Sequence, residues 1–260
     1  MILNKIYCES NLDTMARMPD NFVDLVVTSP PYDNLRTYNG YTFPFENIAQ
    51  ELFRVTKQGG VVVWVVADAT INGSETGTSF KQALYLKKCG FNLHDTMIWN
   101  KRKFSAVGAL ITRYAPVFEY MFILTKGKIK TFNPIKDRKN ITAGAKVTGN
   151  IRQANGEMKQ KSTIGKITSE YGQRFNIWEQ CPQQGKNEHP APFPEQLATD
   201  HIISWSNEND LVYDPFMGSG TTAKMALINN RKFIGSEISQ EYVDIANKRI
   251  EIYLNKQTLF

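Results

Sequence analysis

Two loop sequences, each preceded by a short apolar run, place the strongest constraint on the fold. Residues 28–32 read Thr-Ser-Pro-Pro-Tyr and follow the run 23–27, whereas residues 214–222 read Asp-Pro-Phe-Met-Gly-Ser-Gly-Thr-Thr and follow the run 211–213. Such runs are typical of strands in a parallel sheet that is covered on both faces. Because ligands bind beyond the carboxyl ends of strands in open α/β sheets, we expect both loops to border one crevice.

The rest of the chain shows an alternation of strand-type and helix-type patterns. Strands are predicted at residues 1–8, 23–27, 61–66, 91–99, 117–124, 211–214 and 232–237, and helices at residues 11–18, 46–57, 79–89, 221–229, 240–254 and from about residue 195. This alternation indicates a doubly wound, mostly parallel α/β sheet. A chain of 260 residues fits one such domain with an insertion, or two small domains. No internal repeat is evident.

Positive charge is concentrated in one part of the chain. The net charge is +6, but residues 126–188 alone contain thirteen Lys and Arg side chains against five acidic ones. Within this segment, residues 131–186 are rich in glycine and polar residues, so we expect an extended basic insertion with little core of its own. The predicted organisation is one domain made of residues 1–130 and 187–260, with a basic insertion at residues 131–186.

The sequence disfavours several classes of protein. The longest apolar run, residues 61–67, is too short to span a bilayer, and the first residues lack the pattern of a secretory signal. The three cysteines and three histidines have neither metal-ligand spacing nor a disulfide framework, so we expect no metal. These features predict a cytoplasmic protein without membrane contact.

The second loop has the features of a nucleotide-type cofactor site. Gly218 and Gly220 allow a ligand to approach the backbone closely, and the N-terminus of the following helix offers N–H groups without helical partners. Glu237, at the end of the next predicted strand, is well placed to accept hydrogen bonds from ribose hydroxyls. This spacing alone does not distinguish a dinucleotide from S-adenosylmethionine.

The two loops together resemble those of the DNA amino-methyltransferases, which transfer a methyl group from S-adenosylmethionine to an exocyclic base nitrogen. The glycine loop is similar to the methyl-donor loop of that family, and Thr-Ser-Pro-Pro-Tyr is similar to its catalytic loop. Here the catalytic loop comes first, the basic region second and the cofactor loop third. This order resembles the β group, whose sheet is a circularly permuted version of the usual methyltransferase sheet. The resemblance covers about residues 1–130 and 187–254.

The resemblance implies a set of site residues. S-adenosylmethionine is the implied cofactor, and the residues implied to bind it are Ser10, His189, Pro190, Asp214, Pro215, Phe216, Gly218, Ser219, Gly220, Thr221, Thr222 and Glu237. The implied catalytic residues are Ser29, Pro30, Pro31 and Tyr32. Ser10 stands in the turn after the first strand, where family members often carry Asp and this chain has Glu9-Ser10.

The catalytic loop suits methylation of an amine. Exocyclic amines of cytosine and adenine are poor nucleophiles, because the nitrogen lone pair is delocalised into the ring. Acceptors that hold both N–H hydrogens favour a localised lone pair, and Ser29 Oγ and the Pro30 carbonyl can be those acceptors. Tyr32 offers a face on which a flipped base can stack. Methylation at C5 of cytosine would need a thiolate nucleophile, and none of the three cysteines follows a proline.

The target base and the substrate class allow alternatives. Serine at the first position of the catalytic motif is typical of N4-cytosine enzymes, and Asp or Asn is typical of N6-adenine enzymes. We therefore expect the N4 of cytosine, with the N6 of adenine as the alternative, because a hydroxyl accepts from either amine. A protein glutamine methyltransferase is less favoured, since those enzymes place the cofactor loop before the catalytic loop. A non-enzymatic relative would be expected to lack Ser29 or the glycines.

The basic segment is the predicted contact with double-stranded DNA. Lys and Arg side chains bind phosphates, and polar side chains can read base edges. The alternative is a solvated loop whose lysines only confer solubility. The predicted DNA-binding residues are Arg36, Lys101, Lys136, Arg138, Lys139, Lys146, Arg152, Lys159 and Lys161. The resemblance further implies a bacterial, archaeal or phage protein. A homodimer and a cognate restriction endonuclease are candidate partners by analogy, and the sequence leaves open the oligomeric state and whether the enzyme is solitary.

Overall fold

The computed structural model describes residues 1–31, 43–103, 112–182 and 194–257. Four predicted site residues, Tyr32, Arg36, His189 and Pro190, lie outside this described part of the chain. The helices are α1 (Asn11–Ala16), α2 (Phe45–Val55), α3 (Thr78–Lys88), α4 (Glu195–Trp205), α5 (Thr221–Ile228) and α6 (Gln240–Gln257). The strands are β1 (Lys5–Cys8), β2 (Val23–Thr28), β3 (Thr56–Val66), β4 (Thr70–Ile71), β5 (Ser74–Glu75), β6 (Asn92–Asn100), β7 (Phe118–Thr125), β8 (Arg138–Lys139), β9 (Asn150–Arg152), β10 (Met158–Gln160), β11 (Tyr171–Gly172), β12 (Ile177–Glu179), β13 (Leu211–Asp214) and β14 (Lys232–Glu237).

An eight-stranded sheet has the order β1-β14-β13-β2-β3-β7-β6-β12. All neighbouring strands in it are parallel except the two pairs formed by β7. This mostly parallel sheet, whose strands alternate with helices along the chain, confirms the α/β fold that the sequence predicts. Within the described ranges, no helix is long and apolar enough to cross a membrane.

Both faces of the sheet are covered by helices. Met15 of α1 and Leu86 of α3 pack in one core cluster with Val26 of β2. Side chains alternate between faces along a strand, so Leu25 and Val27 point to the opposite face. Both are completely buried; α4, α5 and α6 pack against one another, and α4 contacts β2. Burial on both faces explains why β2 and β3 are almost continuously hydrophobic.

Several element boundaries differ from the sequence prediction. Strand β1 begins at Lys5 rather than at residue 1, helix α1 ends at Ala16 rather than at residue 18, and the largest difference lies between α2 and β3. Helix α2 ends at Val55 and β3 begins directly at Thr56, so the predicted helix 46–57 was too long and the predicted strand 61–66 too short. Gly59 has a φ of 81° within this strand, and a Cβ on Gly60 would lie 2.9 Å from the Asp24 carbonyl oxygen. The two glycines therefore allow an irregular strand to pass close to β2, where the sequence suggested only a helix stop.

The chain forms two compact units, Met1–Asn133 together with Asn176–Phe260, and Pro134–Phe175. The smaller unit contains β8 to β11 as two antiparallel pairs, and most of its side chains are exposed. The predicted insertion, residues 131–186, is therefore broader than this unit. In particular, β12 pairs with β6 at the edge of the main sheet. Strand β12 is only three residues long, and the polar residues on both sides of Ile177 and Trp178 obscured its strand pattern.

Candidate active site

The two predicted site loops leave the sheet from neighbouring strands. β13 pairs in parallel with β2, through Val212 opposite Leu25 and Tyr213 opposite Val26. From β2 the chain continues to β3 on one side, whereas from β13 it continues to β14 on the other. The carboxyl ends of β2 and β13 therefore form a topological switch point, which is where open α/β sheets bind ligands.

Buried hydrogen bonds join the two loops directly. The Thr28 hydroxyl donates to Asp214 Oδ1 at 2.6 Å. The Thr222 hydroxyl lies 2.8 Å from Asp214 Oδ2 and 3.2 Å from the Val27 carbonyl oxygen. All three of these polar side chains are at most 2% exposed. Thr222, the second residue of α5, is thus tied through the Asp214 carboxylate to Thr28, the last residue of β2.

Asp214 interacts mainly with the chain's own donors. Besides the two threonine hydroxyls, it accepts a hydrogen bond from the Phe216 backbone N–H at 3.0 Å. Burial raises the pKa of Asp214 to about 6, although the hydrogen bonds from Thr28, Phe216 and Thr222 oppose that rise. The predicted role of Asp214 was to bind polar atoms of the cofactor. The geometry shows that its carboxylate joins the two loops, and its contact with the cofactor stays a prediction.

The glycine loop adopts the backbone conformation that its sequence suggests. Gly218 has a φ of 50° and Gly220 a φ of 82°, and Gly220 precedes the first residue of α5. A Cβ at Gly220 would lie 2.8 Å from the Ala246 Cβ on α6. Glycine is therefore required here by backbone conformation and by close packing against α6.

Glu237 ends β14 beside this loop. Its carboxylate accepts hydrogen bonds from the Gly218 and Ser239 backbone N–H groups, both at 2.9 Å. Burial raises the pKa of Glu237, and the backbone N–H groups of Ser239, Gly218 and Ile238 oppose the rise. These contacts fix the side chain on the loop. A carboxylate with two oxygens still has acceptor capacity beyond two N–H donors.

Two buried polar atoms near the loop fit a ligand that is rich in polar hydrogens. Asn11 Oδ1 and Thr221 Oγ1 have no hydrogen-bond partner among the described residues. Asn11 also donates from Nδ2 to the Pro215 carbonyl at 3.1 Å, so it contacts the loop itself. Buried polar groups without partners are rare in folded proteins. Together with Glu237 they suit the ribose and amine groups of S-adenosylmethionine.

Asn11 was missed by sequence reasoning, which singled out its neighbour Ser10. The Ser10 hydroxyl accepts a 3.3 Å hydrogen bond from the Leu12 N–H and so serves as the N-cap of α1. Strand β1 lies parallel to β14, with Cys8 opposite Glu237. The residues that directly follow β1 therefore lie at the same sheet edge as Glu237. This position next to Glu237 was the signal by which Asn11 could have been predicted.

The C-terminal helix α6 also braces the glycine loop. Arg249 donates to the Ser219 carbonyl at 2.6 Å and to the Ser219 hydroxyl at 2.8 Å. The same guanidinium and the Lys224 ammonium both bind Glu195 Oε1, at 2.8 and 2.7 Å. Burial raises the pKa of Glu195, but Lys224 and Arg249 outweigh it and leave that pKa below its ordinary value. Arg249 was not predicted, because no motif marks it.

The aromatic side chain of Phe216 is packed on the opposite side of the loop. Its ring centroid lies 5.7 Å from that of Phe43 and 6.3 Å from that of Trp64, both in edge-to-face arrangements. Such contacts fix the ring without any polar partner. Phe216 can therefore offer a rigid apolar surface at the cofactor loop.

The described part of the catalytic loop follows β2 directly. Ser29 and Pro31 are partly exposed, and Pro30 is buried. Thr28, the last residue of β2, is held on Asp214, so Ser29 follows directly at the carboxyl end of β2, at the switch point. The proline carbonyl and the Ser29 hydroxyl are two adjacent acceptors on a stiff backbone, because proline fixes φ and carries no N–H.

The predicted DNA-binding side chains fall into two groups. Lys101 forms an ion pair with Glu119 at 3.0 Å, and both side chains are largely buried, so its ammonium already has a partner. In the smaller unit, Arg138 donates to the Gln173 carbonyl and Arg152 to the Gly156 carbonyl. The predicted lysines of that unit are exposed, namely Lys136, Lys139, Lys146, Lys159 and Lys161.

Comparisons with known proteins agree with this site. Residues 23–248 match the N6_N4_Mtase family, described as DNA methylase. The orphan methyltransferase M.BamHII of Bacillus amyloliquefaciens is 57% identical over 244 residues, which cover 90% of this chain and 91% of that protein. The type II methyltransferase M.BglII of Bacillus subtilis is 28% identical over 263 residues, which cover 94% of this chain and 68% of that protein.

Solved structures show the same fold. The cytosine-N4-specific PvuII DNA methyltransferase superposes with a TM-score of 0.69 at 18% identity, covering 96% of this chain and 91% of that one. M1.HpyAVI in complex with S-adenosylmethionine gives a TM-score of 0.62 at 23% identity, covering 94% and 98%. The chain therefore belongs to the N6/N4 DNA methylase family and is a DNA methyltransferase that uses S-adenosylmethionine.

Proposed function

We propose that the chain methylates the exocyclic N4 of a flipped cytosine in double-stranded DNA, in a sequence-specific manner. The proposal is carried by the 2.6 Å hydrogen bond between Thr28 and Asp214, which joins the end of the catalytic strand to the cofactor loop. With this bond in place, Ser29 follows a strand end that is anchored beside the methyl-donor loop. An amine that binds Ser29 is then close to the loop that holds the donor.

In the proposed reaction, the chain's own residues orient the target amine and the methyl donor. Ser29 Oγ and the Pro30 carbonyl accept the two N–H hydrogens of the target amine, which localises its lone pair. Bound S-adenosylmethionine supplies an electrophilic methyl group on a sulfonium. The residues proposed to hold it are Glu237 for the ribose, and Asn11 and Thr221 for polar groups that match their unpaired buried atoms. The methylated amine is acidic enough to lose its extra proton to water, so a strong general base is not needed.

The choice of cytosine is supported by Ser29 itself. Serine at the first motif position is typical of N4-cytosine enzymes in the family that the chain belongs to. The PvuII enzyme is described as cytosine-N4-specific, but at 18% identity its likeness supports the fold alone. Methylation at N6 of adenine is the alternative, because the Ser29 hydroxyl can accept from either amine. Protein glutamine methylation is disfavoured by the order of the two loops.

Nucleoside analysis tests the function and the base together. The chain is incubated with mixed-sequence duplex DNA and methyl-labelled S-adenosylmethionine, and the digested nucleosides are separated by mass spectrometry. We expect label in N4-methylcytosine, and none with Ser29→Ala at the same protein concentration. Label only in N6-methyladenine would overturn the base assignment while keeping the chemistry. Absence of label in any nucleoside, across several DNA sources, would overturn the function.

A further inference from the structure

The smaller unit, Pro134–Phe175, contains an internal repeat that its sequence hides. Residues 138–151, here arm A, and residues 159–172, here arm B, correspond with a constant shift of 21 positions. Only Thr142 and Thr163, and Gly144 and Gly165, are identical between the arms. The two glycines share a φ of 80°, which is the left-handed region that favours glycine.

Each arm contains the same two backbone turns. Both turns are defined by backbone hydrogen bonds of 3.0 to 3.3 Å at equivalent positions. The pairs are Ala143 N to Asn140 O and Ala145 N to Thr142 O in arm A, and Ile164 N to Lys161 O and Lys166 N to Thr163 O in arm B.

The contacts between the arms are reciprocal. Gly144 N donates to Thr168 O, and its equivalent Gly165 N donates to Val147 O, both at 3.0 Å. The isolated bridge joins Lys146 to Ile167, which are themselves equivalent positions. Exchange of the two arms therefore maps the two hydrogen bonds onto each other and the bridge onto itself. This is the property of an isologous, twofold-symmetric interface, here within one chain.

The short strands obey the same exchange. In the first antiparallel pair, β8 with β11, Arg138 lies opposite Gly172 and Lys139 opposite Tyr171. In the second pair, β10 with β9, the equivalent residues face each other, Lys159 opposite Ile151 and Gln160 opposite Asn150. The pseudo-twofold axis therefore relates the outer strands as well as the central turns.

Both arms are positively charged, arm A by +3 and arm B, which also contains Glu170, by +2; of their basic side chains only Arg138 and Lys159 stand at equivalent positions. The smaller unit contains nine Lys and Arg side chains against three acidic ones, and its net charge of +6 equals that of the whole chain. Each arm has three basic side chains, Arg138, Lys139 and Lys146 in arm A and Lys159, Lys161 and Lys166 in arm B. Apart from Arg138, all of these are exposed.

We propose that the smaller unit binds duplex DNA along its pseudo-twofold axis, so that arm A contacts phosphates of one strand and arm B phosphates of the other. The proposal rests on the proposed function and names the surface that would hold its substrate. The two backbones of a DNA duplex are antiparallel and are related by twofold axes, so a twofold protein surface can match them. Charge complementarity supplies the affinity, because phosphate contacts dominate DNA binding.

The departures from symmetry suit recognition of a sequence. The backbone and the number of positive charges are shared between the arms, but most equivalent side chains differ. For example, Asn140 corresponds to Lys161, and Ala145 corresponds to Lys166. Phosphate contacts position a protein on the duplex, whereas base-edge contacts specify sequence. The unit can therefore hold both strands alike and still present different groups to the bases.

Two matched double variants test the proposal in the full chain. One is Lys139→Gln with Lys146→Gln in arm A, and the other is Lys161→Gln with Lys166→Gln in arm B. The control is Lys81→Gln with Lys87→Gln on α3, which removes the same charge from exposed positions of the larger unit. Affinity for a labelled mixed-sequence duplex is measured by fluorescence anisotropy at several salt concentrations. Circular dichroism checks that each variant is folded.

The expected result is an equal effect of the two arms. Each arm variant should reduce the slope of log affinity against log salt by about two, and the control should leave it unchanged. Hydroxyl-radical footprinting should show two protected stretches, one on each strand, of which each arm variant loses one. An effect of one arm only, or protection of a single strand, would overturn the proposal. Wild-type slopes in both arm variants, with methyl transfer intact, would refute it and leave the proposed function standing.

Discussion

Replacing Asp214 by Asn should stabilise the fold at neutral and alkaline pH. The carboxylate is 2% exposed, and burial raises its pKa from 3.8 to about 6. A pKa that is higher in the folded state favours folding below pH 3.8, and this advantage is lost as the pH rises through about 6. At 1.36 kcal/mol for each unit of pKa, the ionised side chain costs the folded state about 3 kcal/mol at pH 8.

Asparagine at position 214 can keep the hydrogen bonds that join the two loops. Its Oδ1 replaces the oxygen that accepts from Thr28 and from the Phe216 N–H. Its Nδ2 replaces the oxygen that accepts from Thr222, whose hydroxyl can instead donate to the Val27 carbonyl at 3.2 Å and accept from the amide. The substitution therefore removes the charge while Thr28, Thr222 and the Phe216 N–H each keep an acceptor.

Urea unfolding from pH 4.5 to 8 measures the effect. Asp214→Asn should exceed the wild type in free energy of unfolding by about 3 kcal/mol at pH 8, with the difference shrinking toward pH 4. Asp13→Asn, at an exposed position of α1, controls for loss of a negative charge. Asp214→Ala should instead destabilise by about 1–3 kcal/mol, because three donors lose their acceptor. Parallel pH profiles for wild type and Asp214→Asn would refute the assignment of a buried, high-pKa carboxylate.

Three further predictions concern the site. Ser29→Ala should keep cofactor affinity by calorimetry and lower kcat by about 100-fold or more; an unchanged kcat would contradict its role. Arg249→Gln should weaken binding of S-adenosylhomocysteine by about tenfold, whereas Lys224→Gln, which also loses an ion pair with Glu195, should not. Equal affinities in those two variants would contradict the role of Arg249 in holding the glycine loop. Glu237→Gln should weaken the same binding by about tenfold or more, and wild-type affinity would argue against a ribose contact.

Much of the main domain follows from the sequence because its signals are local. Buried parallel strands are short β-branched runs, as in residues 61–66 of β3, and helices such as α3 end at a glycine with positive φ, here Gly90. The strand neighbours that form the site also follow from general rules of sheet topology. The prediction was inaccurate at the start of β3, because a pair of glycines can either end a helix or allow an irregular strand. The local sequence pattern does not distinguish these two cases.

The repeat in the smaller unit was not predictable for a different reason. Its arms share backbone geometry through hydrogen bonds, and hydrogen bonds of the main chain place few demands on side chains. Only positions with a special φ must keep their residue, so Gly144 and Gly165 are retained while nearly all other pairs differ. A solvent-exposed unit also lacks the alternating apolar pattern by which a core reveals its repeats.

Motif identity predicts a set of site residues but does not assign their hydrogen-bond partners. Asp214, in a string that resembles a methyl-donor loop, accepts hydrogen bonds from Thr28, Thr222 and a backbone N–H, so its carboxylate joins the two loops, and its contact with the cofactor stays a prediction. Asn11, which no motif singled out, has a buried oxygen without a partner among the described residues. Because an unpaired buried acceptor is costly, the residues that bind a ligand are found by counting donors and acceptors at the site. The motif shows only where that count must be made.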